Sequence, residues 1–279
     1  MTYKCLFTVL TNETLAEETL TNAAAMAAAC GAHLDVLCLG VDRTQTGFYY
    51  AGASAIVLQE TITRASEEAS RIAARAEAHL KNADCLWAVE SAVAQLADIG
   101  RHVSARARFA DLVILPKPYG EGRGAELEPV IEAALFEGQA PAIILPESAT
   151  LDTRPKRIMI GWNEGAEALS AVRAAMPLLK QAEIVHVVII DPPAHGPTRS
   201  DPGGLLSQYL ARHDVKAEID VLSKTLPRVS DVLTRHATDV NADLLVLGAY
   251  GHSRFREAIF GGTTRNMLEQ ATFPMLMAH

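Results

Sequence analysis

An aliphatic run at residues 244–247 ends in Gly248, Gly251 follows three positions later, and Gly261 and Gly262 stand before Thr263 and Thr264. Glycine lets the chain turn with positive φ and lets a ligand come close to the backbone. Successive free N–H groups in such a loop make a concave nest for anions. A helix opening at Gly262-Thr263-Thr264 adds unpaired N–H groups and the positive end of its dipole. The chemistry this allows is phosphate binding, with the threonine hydroxyls as further donors and His252, Arg254 and Arg265 as sources of positive charge. The plainer reading is a tight turn before a helix, and spacing alone leaves both open. No Gly-Lys pair occurs, so this is not a Walker loop, and it lacks the G-x-G-x-x-G spacing of dinucleotide sites.

The other chemistry-bearing residues are dispersed. The nine histidines form no H-E-x-x-H pattern. His186 falls inside an aliphatic run and reads as a packed core residue. His195 and His213 lie near Asp191 and Asp214, a pairing common on surfaces, and no metal site is expected. No G-x-S-x-G elbow is present. Cys5, Cys30, Cys38 and Cys85 form no C-x-x-C pair and read as buried, reduced thiols, which suits a cytoplasmic protein. No residue stands out as a dedicated general base, so the glycine stretch points to binding more than to turnover.

Holding those glycines in place needs a regular frame, and aliphatic runs alternate with longer helical patterns throughout. In the first half, strands are expected at residues 5–10, 33–39, 87–89, 110–115 and 142–145. Helices are expected from an Asn12–Thr14 cap to residue 30, and at residues 55–81, 92–108 and 128–137. Residues 41–54, with Phe48, Tyr49 and Tyr50, read as a loop covering the surface. Residues 147–155 read as a linker. In the second half, strands are expected at residues 156–162, 184–190, 216–222, 243–247 and 275–278, with helices at 166–180, 203–212, 229–240 and 263–270.

The two halves repeat each other. Ala-Asp-Leu-Val-Ile-Leu at residues 110–115 returns as Ala-Asp-Leu-Leu-Val-Leu at 242–247, so that Asp111 and Asp243 are 132 positions apart. Pro141 and Pro274, each before a closing strand, are 133 apart. The period means two fused domains, residues 1–148 and 154–279, each of ordinary size. Strands alternating with helices imply parallel sheets with helices on both faces. Ligands of such sheets bind at the carboxyl ends of strands, where the strand order reverses. That brings Gly161-Trp162-Asn163, at the end of the second half's first strand, towards Gly248 and Gly251.

Composition agrees. The 279 residues are 49% hydrophobic and 21% charged, with 5% aromatics, which suits an aliphatic α/β core. The net charge of −8 argues against nucleic acid or an anionic membrane surface as partner. No apolar run reaches the ~18–20 residues of a membrane span, and Met1–Lys4 leads straight into a strand, so no secretory leader is expected.

The spacing Gly248-x2-Gly251-x9-Gly261, followed by Gly262-Thr263-Thr264, resembles the G-x2-G-x9-G-[S/T] signature of the universal stress protein family. The Ala-Asp-Leu-Leu-Val-Leu strand before it and Pro274-Met275-Leu276 after it are similar to that family as well, and the internal repeat resembles its tandem members. The resemblance implies two Rossmann-like (adenine nucleotide alpha hydrolase-like) domains, each a five-stranded parallel sheet with helices on both faces. It implies ATP or AMP as ligand, with magnesium accompanying ATP. Gly161, Trp162, Asn163 and Val187 would line the adenosine side. Leu247, Gly248, Gly251, Gly261, Gly262, Thr263 and Thr264 would hold ribose and phosphates. Domains of this family pair through their last strands, so the resemblance also implies an intramolecular pseudo-dimer, and a homodimer as a further assembly.

This sequence departs from the pattern at two places in the second half. Asn163 stands where the family has Asp, and Gly262 where it has Ser or Thr. Losing one neutral hydrogen bond costs about 0.5–1.5 kcal/mol, which weakens binding without forbidding it. In the first half Pro116, Tyr119 and Pro129 replace the three glycines, and proline fixes φ and removes a donor. Nucleotide binding is therefore expected in the C-terminal domain and not in the N-terminal one. The implied role is a stress-response binding or regulatory module. A slow ATPase on the same site, or a scaffold that no longer binds nucleotide, are the alternatives.

Overall fold

A computed structural model describes residues 2–43, 55–147, 149–192, 201–251 and 262–279. The chain divides into two compact units, Thr2–Ala140 and Pro141–His279. The aromatic loop at Phe48–Tyr50, and His195, His252, Arg254 and Gly261, lie outside the described residues.

The first unit runs β1 (Cys5–Leu10), α1 (Glu13–Cys30), β2 (His33–Asp42), α2 (Ala55–Leu80), β3 (Leu86–Gln95), α3 (Ile99–Ala107), β4 (Leu112–Pro116) and α4 (Leu127–Glu132). Its strand order is β3-β2-β1-β4, with every pair parallel. Both ends of α1 follow from the sequence. Asn12 Oδ1 accepts the Leu15 N–H at 2.9 Å, and Gly31, at φ 58°, turns the chain out while its N–H reaches the last carbonyls. Leu112–Leu115 of β4 are fully buried, as a strand covered on both faces must be.

The second unit runs β5 (Ala142–Leu145), β6 (Arg157–Gly161), α5 (Ala166–Leu179), β7 (Ile184–Ile190), α6 (Gly204–Arg212), β8 (Ala217–Leu222), α7 (Val229–Asp239), β9 (Leu244–Gly248), α8 (Thr263–Gln270) and β10 (Met275–Ala278). Its strand order is β5-β10-β9-β6-β7-β8. The five strands from β6 to β10 are mutually parallel, and β5 adds to the edge antiparallel, with Ile143 opposite Leu276. The chain steps one way from β6 through β7 to β8, then reverses to β9 and β10. Right-handed crossovers therefore put α5 and α6 on one face and α7 and α8 on the other.

The repeat has a shared fastening. In the first unit Asp111 Oδ2 accepts the N–H groups of Lys4 at 2.7 Å and Cys5 at 3.0 Å. In the second, Asp243 Oδ2 accepts those of Lys156 and Arg157, both at 2.8 Å. Each aspartate's own N–H returns to a carbonyl of the same strand, Cys5 or Arg157, again at 2.8 Å. The two matched aspartates pin the start of the first strand to the start of the fourth.

Three sequence expectations are corrected. The helix expected over residues 92–108 covers only Ile99–Ala107, because β3 continues to Gln95 in register with Asp42 of a longer β2. The β-ladder outweighs the helical propensity of the alanines there. Second, α4 stops at Glu132 and a π-helical turn, Ala133–Glu137, follows it. Third, the cysteines are free but not all buried: Cys5 is exposed, Cys30 and Cys85 are half-buried, and only Cys38 is enclosed. Burial pushes the Cys38 thiol up to about 12, with Glu77 adding to the effect. A thiol so placed is a poor nucleophile.

Candidate functional site

The crevice expected from the sequence is at the carboxyl ends of β6 and β9, where the strand order reverses. Gly161 closes β6 directly beside Leu247 of β9. A Cβ on Gly161 would come within 2.4 Å of Leu247 Cδ2, so the leucine occupies the space a side chain would need. Beyond Gly161 the Trp162 N–H donates to the Val188 carbonyl at 2.9 Å, carrying the ladder with β7 one residue further. Asn163 is exposed, and its Oδ1 accepts the Gly165 N–H at 3.0 Å. That contact shapes the turn into α5 and leaves the Asn163 side chain with a local job. Val187 is fully buried within β7.

Gly248 is a packing glycine. A Cβ there would lie 2.5 Å from the Ala168 backbone nitrogen and 2.8 Å from the Glu167 carbonyl carbon. The end of β9 therefore presses on the first turn of α5. The next two N–H groups are already satisfied: Ala249 donates to the Ala278 carbonyl at 2.8 Å, and Tyr250 to Thr264 Oγ1 at 3.1 Å. His279 Nδ1 lies 3.0 Å from the Ala249 carbonyl oxygen. Tyr250 adopts φ 56°, a left-handed conformation that a side chain makes costly. Gly251 follows, exposed.

Across from this loop α8 opens with Gly262 as its N-cap, in extended conformation and without a side-chain cap. Thr263 is exposed and Thr264 is buried. The crevice thus has two helix N-termini at its rim, α5 and α8. Of the groups expected to meet a phosphate, Gly251, Gly262 and Thr263 remain accessible. Thr264 and the first half of the glycine loop instead hold the crevice together.

Two features lay outside the sequence reading. Glu167, in the first turn of α5, brings its Oε2 within 3.1 Å of where a Gly251 Cβ would be, and within 3.0 Å of the same point on Gly165. Its carboxylate makes no hydrogen bond or ion pair among the described residues. Beside the crevice, α5 and α6 enclose a cavity of about 550 Å³ bordered by Trp162, Leu169, Leu206, Tyr209 and Arg173. The only sequence signal for that cavity was the amphipathic pattern of the two helices; that they face each other is a tertiary fact.

One histidine differs from expectation. His186 Nδ1 lies 3.0 Å, and His236 Nε2 of α7 2.8 Å, from the same oxygen of Asp220 on β8. His186 is therefore a hydrogen-bonded, partly buried side chain and not an apolar-packed one. Among the described residues no group of three or more His, Cys, Asp or Glu side chains is arranged to hold a metal ion.

In the first unit an ion pair stands at the corresponding strand ends. Pro116 ends β4, and Pro129 falls inside α4. The Glu126 side chain, 1% exposed, accepts from Arg43 at 2.8 Å and 3.3 Å, and Arg43 also reaches the Thr11 carbonyl. Burial alone would raise the Glu126 carboxyl. The Arg43 guanidinium, the backbone and Thr11 more than offset it, and hold it below the usual range. An internal carboxylate thus stands at the ends of β1 and β2.

The β6–β10 sheet with a crevice at its switch point defines a Rossmann-like α/β protein. Residues 155–279, within the second unit, match the family model described as "Universal stress protein family". The universal stress protein Slr1230 of Synechocystis sp. is 25% identical over 179 residues, an alignment covering 60% of this chain and 57% of that relative. The chain therefore spans little more than half the length of that curated relative. In fold it is similar to a universal stress protein from Archaeoglobus fulgidus DSM 4304, with TM-score 0.69 at 14% identity over 98% of this chain and 95% of that one. It is likewise similar to a putative universal stress protein from Pseudomonas aeruginosa UCBPP-PA14, with TM-score 0.64 at 12% identity over 99% and 93%. No helix of the described residues is long and apolar enough to cross a membrane.

Proposed function

We propose that the second domain, residues 154–279, binds an adenine nucleotide, ATP or AMP, and that the chain serves as a cytoplasmic stress-response binding module. The observation that supports this most is the convergence of Gly161, Gly251 and the N-termini of α5 and α8 on one crevice at the switch point. Phosphate would be received by Gly251, Gly261, Gly262 and Thr263, at an uncapped helix start. The base would lie against Trp162, towards the α5–α6 cavity, whose volume suits a purine and more. Magnesium accompanying ATP would be held by the phosphate oxygens, with water completing its shell. The first domain, residues 1–148, contributes structure: its crevice already holds the Arg43–Glu126 pair.

Titration calorimetry of the full chain with AMP and with ATP tests the reading. Saturable heat, lost in Gly251→Pro, is the expected result; no heat with either at millimolar concentration overturns it. One observation favours the scaffold reading instead: the Ala249 and Tyr250 N–H groups are already taken within the fold. The absence of any nucleotide-dependent heat or thermal shift would leave that reading in place of the first.

A further inference from the structure

Glu167 sits in the first turn of α5, where the helix dipole favours a negative charge, and it supplies that charge itself. Its carboxylate is half-buried and lies against Gly251. No cation among the described residues neutralises it. A phosphate received by the Gly251 N–H would be well inside the ~8 Å screening length of this carboxylate.

We propose that Glu167 selects the ligand by phosphate number, so that the crevice takes a nucleoside monophosphate in preference to a triphosphate. This rests on the reading of the crevice as a nucleotide site. A monophosphate can place its one anionic group at the α8 N-terminus, on Gly262 and Thr263, away from the carboxylate. A triphosphate has two further charged groups to place, and Gly251, which would meet them, lies beside Glu167. A like-charge contact at this range, partly screened by water, weakens binding by about tenfold. The residue thus acts by discrimination against the longer ligand and adds no attraction for the shorter one.

The test is calorimetry of the full chain with AMP and ATP, in EDTA and again with excess magnesium, for the wild type and Glu167→Gln. In EDTA the wild type should bind AMP at least tenfold more tightly than ATP. Glu167→Gln should tighten ATP by about tenfold and change AMP by less than threefold. An unchanged AMP-to-ATP ratio in Glu167→Gln overturns the proposal. So does a wild type that binds ATP tightly only with magnesium and loses this in the variant, because the carboxylate is then a cation ligand. If neither protein binds either nucleotide, the nucleotide reading itself fails. Thermal unfolding of both proteins shows whether a change in ratio arises in a folded variant.

Discussion

The Tyr250 backbone N–H donates to Thr264 Oγ1 across 3.1 Å, tying the loop after β9 to the first turn of α8. Thr264 is buried, so its hydroxyl is part of the frame. Thr264→Val leaves a backbone donor without its acceptor, which costs about 1–3 kcal/mol. Denaturant unfolding should show that loss, and Thr264→Ser should restore most of it. Thr263→Val, by contrast, should leave stability within about 0.5 kcal/mol, since the residue is exposed. Any nucleotide affinity lost in that variant then reports on the ligand directly.

Gly248 and Gly251 belong to one motif but are different kinds of position. A side chain at Gly248 meets the backbone of α5, which cannot move without shifting the helix. Gly248→Ala is therefore expected to destabilise the fold by about 1–3 kcal/mol, the range for overpacking. At Gly251 the nearest group is the far end of Glu167, which can rotate away. Gly251→Ala should melt close to the wild type while disturbing the crevice. Equal melting temperatures for the two variants would contradict this distinction.

The Arg43–Glu126 pair makes the first unit acid-sensitive. Glu126 titrates below its ordinary value when folded. A lowered folded-state pKa contributes stability that is fully present above the unfolded value of about 4.5, and that is lost as pH falls through the folded value. Arg43→Met leaves the carboxylate buried without its partner. Because Arg43 is itself 45% exposed, the cost is set at about 3 kcal/mol, the low end for a broken buried pair. Unfolding curves at pH 7 and pH 4 check both points: the wild type should lose stability between them, and the gap between wild type and Arg43→Met should narrow at the lower pH.

The twin aspartates allow a comparison inside one molecule. Asp111→Ala and Asp243→Ala each remove an acceptor for two backbone N–H groups at a strand start. Each should cost about 1–2 kcal/mol, less than for a buried site because water reaches these groups. Hydrogen exchange should rise at Lys4 and Cys5 in the first variant, and at Lys156 and Arg157 in the second. Exchange at the other pair should stay as it was.

Much of this arrangement could be read from residue order. Residues 184–190 and 142–145 were legible as strands because they are aliphatic and bounded by turn residues. The start of α8 was legible because Gly262 can neither cap with a side chain nor continue a strand. β3 was misread beyond Val89 because Ala92 and Ala94 favour a helix locally, and only the ten-residue ladder with β2 holds them extended. In the crevice, Gly161 and Gly248 were placed by their positions at the ends of expected strands. Glu167 was missed because nothing along the chain says that the first turn of α5 lies against Gly251. The internal use of the Ala249 and Tyr250 N–H groups was hidden for the same reason, since their acceptors lie at Ala278 and Thr264.

The antiparallel contact between Ile143 and Leu276 bears on where the chain can be cut. A fragment beginning at residue 154 keeps the whole matched domain but strips β5 from β10. That bares a row of unpaired N–H and C=O groups beside the fully buried Met275, Leu276 and Met277. Such an edge is a template for sticking to its own kind. A fragment beginning at Pro141 keeps β10 paired with β5, so hydrogen exchange at Met275 to Met277 should be slower in it than in the shorter fragment.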